Sequence, residues 1–97
     1  MKVNIYIIKK WNGKGYDENG NIIYELFNGK GKVKEYNYFY SKLEFEGEYL
    51  NGERNGKGKE YYYNGSLVFE GEYLNGERNG SGKEYNYYGK LNLKENI

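Results

Sequence analysis

LEFEGEYLNGERNGKGKEYYYNGS, residues Leu43–Ser66, is followed without a break by LVFEGEYLNGERNGSGKEYNYYGK, residues Leu67–Lys90. The two differ only at Glu44/Val68, Lys57/Ser81, Tyr62/Asn86, Asn64/Tyr88 and Ser66/Lys90. Repetition this close implies stacked equivalent units, each leaning on its neighbour, rather than a closed globule around a unique core. It describes a surface better than a reaction.

Working outward, the remainder reads as worn copies of the same unit. Asn-Gly recurs at Asn12, Asn19 and Asn28, and superposing Asn12-Gly13 on Asn55-Gly56 sets Tyr6 on Tyr49. One repeat domain over residues 1–97 follows, with units near 1–20, 21–42, 43–66 and 67–90 and an unfinished one at 91–97. The expected strands include VNIYII near the start, Tyr16–Glu18, Ile22–Phe27 and Lys30–Tyr38. Phe39–Lys42 departs from the pattern, with aromatic residues where the other units place Asn-Gly. Apolar residues never recur at helical spacing, and glycine interrupts every long stretch. The fold expected is all-β: an elongated, single, twisted antiparallel sheet of consecutive β-hairpins. At about 4.8 Å per strand, nine or ten strands would make a ribbon on the order of 45 Å long.

Composition narrows the function classes. Fourteen tyrosines supply most of the large side-chain area among 97 residues, and Cys, His and Pro are absent. Tyrosine suits a thin structure, because its ring packs while its hydroxyl stays wet. Without Cys or His, thiol chemistry and a structural zinc site are excluded. Fifteen Lys and Arg against fourteen Asp and Glu leave a net charge of +1, which favours neither nucleic acid nor an anionic membrane. The apolar run Ile5–Ile8 is too short to span a bilayer or serve as a signal core, and a cytoplasmic location is expected.

Strand alternation in LEFEGEYL places Leu43, Phe45, Gly47 and Tyr49 on one face and the glutamates on the other. Setting Phe45 opposite Tyr61 and Leu43 opposite Tyr63 aligns two rows across the sheet. One runs through Leu43, Tyr63, Leu67 and Tyr87, the other through Phe45, Tyr61, Phe69 and Tyr85. This register gathers Glu46, Glu60, Glu70 and Glu84 on the opposite face, which is unfavourable. A one-residue slip would pair Glu46 with Lys59 but break the aromatic rows. Four of the five differences between the two copies, Glu44/Val68, Tyr62/Asn86, Asn64/Tyr88 and Ser66/Lys90, fall at turns or on the acidic face, so the aromatic register is expected. It requires an odd-length or bulged turn at Asn64-Gly65, with Gly65 at positive φ.

The segment FEGEYLNGERNGKGKEYYYNG resembles the membrane occupation and recognition nexus (MORN) repeat: an aromatic, Glu-Gly, an aromatic, Asn-Gly and a Gly-x-Gly pair. EYYYNGSLVFEGEY also resembles a bacterial variant of it. The resemblance is close over Leu43–Gly89 and recognisable over Trp11–Tyr38. It implies a rod of hairpins that often self-associates, a scaffolding or linking role, phospholipid binding for some members, and no catalysis of its own.

Motifs with a chemical look have plainer readings. The Gly-x-Gly pairs lack the third glycine of a dinucleotide loop, and Gly52–Lys57 fails phosphate-loop spacing, so they read as turn glycines. The glutamates recur identically in each unit, whereas acid-base catalysis needs two carboxylates in unlike environments. No cofactor, metal site or enzyme activity is expected. Two classes remain. One is a protein-interaction or self-assembling scaffold, working through the sheet edges or the aromatic face, with Tyr38, Phe39, Tyr40, Tyr49 and Tyr73 as contact candidates. The other is a peripheral anionic-lipid binder using Arg54, Lys57, Lys59 and Lys83; nucleic acid is not expected as a partner.

Overall fold

The computed structural model describes residues 12–37 and 39–96, the last five through their backbone alone. The strand expected near the amino terminus and Tyr38 lie outside the described residues. Eight strands form one antiparallel sheet in chain order: β1 (Gly13–Tyr16), β2 (Ile22–Phe27), β3 (Lys30–Tyr36), β4 (Leu43–Leu50), β5 (Glu53–Tyr61), β6 (Leu67–Leu74), β7 (Glu77–Tyr85) and β8 (Leu91–Asn96). β1 falls earlier than the expected Tyr16–Glu18. The Asp17 carboxylate accepts the amides of Asn19 and Asn21 at 2.9 Å each, which turns the chain at that point. The sheet measures 36 × 27 × 24 Å. Eight described strands account for its being shorter than 45 Å, and the right-handed twist of neighbouring strands accounts for a depth of more than one layer.

Two kinds of turn alternate. β2–β3, β4–β5 and β6–β7 close through Asn-Gly pairs in which both residues have positive φ, for example Asn51 at φ 55° and Gly52 at φ 78°. This is the geometry that follows strand twist. These turns share one edge of the ribbon. Longer turns at residues 17–21, 37–42, 62–66 and 86–90 share the other, with Gly20, Gly65 and Gly89 at positive φ. Gly65 takes the expected conformation, at φ 89°. In the 37–42 turn, one residue longer, Ser41 takes the left-handed position at φ 53°.

The register differs from the aromatic alignment by one residue. Phe45 stands opposite Glu60, Glu46 opposite Lys59 and Gly47 opposite Gly58; on the other side of β5, Glu60 faces Phe69. The rows through Leu43, Tyr63, Leu67 and Tyr87 and through Phe45, Tyr61, Phe69 and Tyr85 therefore do not form. The Tyr61 hydroxyl donates to Glu46 at 2.9 Å, on the face away from Phe69. Two rows replace them. One runs Glu35, Phe45, Glu60, Phe69, Glu84, Leu93; the other runs Val33, Gly47, Gly58, Gly71, Gly82.

Glycine explains why this register wins. The Phe45 ring lies flat over Gly47 and Gly58, so close that a β-carbon on either would come within 2.7 and 2.6 Å of it. Phe69 lies likewise over Gly71 and Gly82. Both rings are fully buried, at 0% exposure, in a sheet that has no second layer. The slip also separates the glutamates: Glu46 and Glu70 face Lys59, while Glu60 and Glu84 join the phenylalanine row. The residues after Arg54 form a bulge in which Gly56 has φ 87°, so the first glycine of each Gly-x-Gly pair shapes a strand and the second lies under a ring. A further bulge beside Tyr61 leaves Val68 without a strand partner and turns it toward the core, so that position is not on the exposed face.

Candidate interaction surface

On the phenylalanine face each ring is capped by the arginine of its own repeat, and Phe45 also meets the edge of Tyr73 from the next repeat at 5.3 Å between ring centres. Arg54 places its guanidinium 4.1 Å above the centre of the Phe45 ring, and Arg78 sits 4.2 Å above Phe69, a cation–π arrangement. Each arginine is gripped by a glutamate of the preceding unit. Glu35 accepts from Arg54 Nε at 3.0 Å and Nη2 at 2.9 Å, and from the Tyr49 hydroxyl at 2.6 Å. Glu60 accepts from Arg78 Nε and Nη2 at 3.0 and 3.1 Å, and from the Tyr73 hydroxyl. Arg78 also reaches Glu84 at 3.0 Å.

Burial would raise the Glu60 carboxyl. The Arg78 and Tyr73 hydrogen bonds and both arginine charges outweigh it and hold the group below its usual range. Burial followed by the neighbouring carboxylates pushes the Tyr49 and Tyr73 hydroxyls well up; burial and Glu46 push Tyr61 up to about 12. Among the described residues no buried side-chain nitrogen or oxygen lacks a partner. This face is a finished core.

Two of the contact candidates therefore drop out. Tyr49 and Tyr73 are 7% and 4% exposed and spend their hydroxyls inside the clamp. Phe39 and Tyr40 are 76% and 61% exposed. They are held out by Asn37, whose side-chain oxygen accepts both of their backbone amides at 2.9 Å. Alongside stand Tyr63, Tyr87 and Tyr88 on the next turns of the same edge, all exposed. Tyr40 meets Tyr63 at 5.2 Å, Tyr62 meets Tyr87 at 5.3 Å and Tyr87 meets Tyr88 at 5.7 Å between ring centres. The result is a ridge of rings across three turns. Asn64 and Ser66 tie the second turn to the Tyr87 carbonyl of the third. The signal for Tyr88 was present in the sequence, at the varied turn positions Asn64/Tyr88 and Tyr62/Asn86.

The cation candidates do not share a surface. Arg54 belongs to the phenylalanine face. Lys57, Lys59 and Lys83 stand on the reverse, opposite Glu72, Glu46 and Glu70, and Glu70 respectively. On that face β3 and β5 present lysines while β4 and β6 present glutamates, around a shallow groove of about 720 Å³ floored by Gly47, Gly58 and Gly71. Among the described residues no cluster of acidic side chains could hold a metal ion, and no helix is long and apolar enough to cross a membrane.

With Phe, Gly, Tyr, Arg and Glu in these places, the two clamped hairpin units are the stretches that the MORN repeat family model matches, residues 45–67 and 69–86. Those two units, and not the whole chain, are similar to the MORN repeat. In MORN terms the aromatic before Glu-Gly is the ring lying on glycine, and the tyrosine after it closes the clamp. The MORN repeat is itself a non-catalytic unit. No curated protein and no solved structure is significantly similar to the chain.

Proposed function

We propose that this chain is a non-catalytic scaffold module that holds a protein partner, or another copy of itself, on the aromatic turn edge. The observation that carries the reading is the ridge formed by Phe39, Tyr40, Tyr63, Tyr87 and Tyr88. Large rings gathered in solvent are what binding surfaces present, because tyrosine gives contact area at little entropic cost. The clamps beneath give that ridge a rigid base. The anionic-lipid reading has less support, since every lysine it needs stands beside glutamates and lipid attraction depends on clustered positive charge.

The test pairs two measurements. Light scattering over a concentration series reads self-association, and pull-down from a lysate reads partner capture. Both should weaken when Phe39 and Tyr40 are replaced by Asn and Gly. The backbone bonds to Asn37 involve no ring, so circular dichroism should be unchanged. Binding that survives in the folded variant removes the reading. Salt-sensitive co-sedimentation with anionic vesicles would promote the lipid alternative instead.

A further inference from the structure

We infer that Tyr40 and Tyr63 form an oxidative cross-linking site, at which a peroxidase with hydrogen peroxide joins the two rings of one chain as dityrosine. The inference goes beyond the docking role of that edge, since it needs no bound partner and stands if none docks there.

The two rings belong to successive turns of the edge, 37–42 and 62–66, and each residue is 61% exposed. Their centres lie 5.2 Å apart with 57° between the planes, so the rings touch. Both backbones are fixed. The Asn37 side chain accepts the Tyr40 amide at 2.9 Å, and the Asn37 carbonyl accepts the Ser41 amide at 2.9 Å. In the other turn the Tyr62 amide donates to the Ser66 carbonyl at 2.8 Å, and the Gly65 amide to the Tyr62 carbonyl at 2.9 Å. Only the side chains have to move, and exposed side chains reorient within picoseconds to nanoseconds. That motion brings an ortho carbon of one phenol onto an ortho carbon of the other.

The chemistry balances without a group from the protein. Hydrogen peroxide, spent by the peroxidase in two one-electron steps, takes one electron and the phenolic proton from each tyrosine and leaves as two waters. The two phenoxyl radicals couple through one new bond between ortho carbons. Each ring regains aromaticity when its ortho hydrogen passes as a proton to the oxygen, so both hydroxyls are restored and the chain has lost two hydrogen atoms.

Other tyrosines are placed less well for this. Holding two reactants in contact replaces a bimolecular encounter with an intramolecular one, and Tyr40 and Tyr63 combine contact with freedom to turn. Tyr62 lies 5.3 Å from Tyr87, but its hydroxyl is tied to the Tyr85 carbonyl at 3.0 Å. Tyr87 and Tyr88 are consecutive, and coupling them would close a ring through a single peptide unit. Tyr49 and Tyr73 are buried against Phe45 and Phe69, which have no phenolic hydrogen to lose. Sulfur side chains are common targets of oxidants, and this chain has no cysteine and one methionine. A bond between the two turns closes a loop through β4 and β5, fastening the second unit to the third much as a disulfide would.

The test treats the intact chain with a peroxidase and limiting hydrogen peroxide, reads dityrosine fluorescence in the monomer band, and maps the joined peptides by mass spectrometry. Tyr40 joined to Tyr63 is expected as the main product within one chain, at a yield per chain that holds on dilution. Tyr40→Phe and Tyr63→Phe each keep the ring, and circular dichroism should be unchanged, while the monomer's dityrosine should fall about tenfold. Tyr88→Phe removes the hydroxyl of the most exposed ring on the edge, at 83%, and should change the yield less than about twofold because no other turn holds a partner for it. Links within the monomer that map to other pairs, a yield that survives Tyr40→Phe, or product that forms only between chains and vanishes on dilution would each overturn the inference. Association through Phe39 and Tyr40 is read by light scattering without oxidant, so either result can fail alone.

Discussion

Replacing Glu60 by alanine separates the observed register from the aromatic one. In the structure Glu60 lies between Phe45 and Phe69 and receives the Arg78 guanidinium and the Tyr73 hydroxyl. Removing one partner of a buried ion pair costs about 3 to 5 kcal/mol. The Glu60 and Arg78 side chains keep 23% and 27% exposure, so water recovers part of that loss, and about 2 to 3 kcal/mol is expected. Tyr73 is more enclosed, and its orphaned hydroxyl contributes to the loss. For a domain of this size the melting temperature should fall by roughly 10 to 20 °C.

Urea and thermal unfolding of Glu60→Ala and Glu48→Ala, side by side, provide the assay. Glu48 is exposed and, among the described residues, accepts only the Lys57 amide at 3.2 Å, so its loss should stay within about 0.5 kcal/mol. In the aromatic register both glutamates would stand in solvent and the two variants would match; equal midpoints would refute the clamp. The pH dependence follows in sign. A carboxyl held below its ordinary value of 4.5 stabilises the fold above that value, and the contribution is lost as pH falls through the lower folded value. The gap between wild type and Glu60→Ala should therefore be full at neutral pH and close below about pH 4.5.

Other outcomes are equally specific. Gly71→Ala should destabilise by about 1 to 3 kcal/mol through overpacking, because its β-carbon would meet the Ser81 carbonyl at 2.6 Å and the Phe69 ring at 2.7 Å; urea midpoints read this. Asn51→Ala, forcing alanine to the left-handed φ of 55°, should cost about 1 to 2 kcal/mol in the same assay. On alkaline titration followed by tyrosinate absorbance, Tyr61 should ionise near pH 12, with Tyr49 and Tyr73 later still. Since these values are raised, their stabilising share is complete below about pH 10 and fades as pH climbs through the folded values.

Hairpins, turns and the single sheet were legible because they depend on local chemistry. Asn-Gly sets a turn, glycine denies a helix, and a repeat of 24 residues fixes the unit. The register was not legible from alternation alone, because hydrophobic pairing pointed one way and charge pairing the other. The missing term was ring on backbone: Phe45 needs two facing glycines more than it needs Tyr61 beside it. A sequence signal for this existed. Arg54 and Arg78 are the only arginines among many lysines, and they hold equivalent places. Arginine differs from lysine in covering an aromatic ring while gripping a carboxylate with two parallel donors.

That distinction also explains how one layer can hold a core. A lone sheet face normally leaves its apolar side half wet, and a second layer covers it. Here the covering layer comes from the sheet's own side chains, as a guanidinium plane over each phenylalanine and the Tyr73 ring meeting both Phe45 and Phe69 edge-on. Because the glutamate that fixes each cover belongs to the unit before, burial of one ring depends on the presence of its neighbour. Glu35 serves Phe45 and Glu60 serves Phe69, so cooperativity passes along the ribbon in single steps. The tyrosines on the turn edge take no part in that linkage. They are free to vary between copies, as Asn64 and Tyr88 do, without disturbing the clamps that hold them in line.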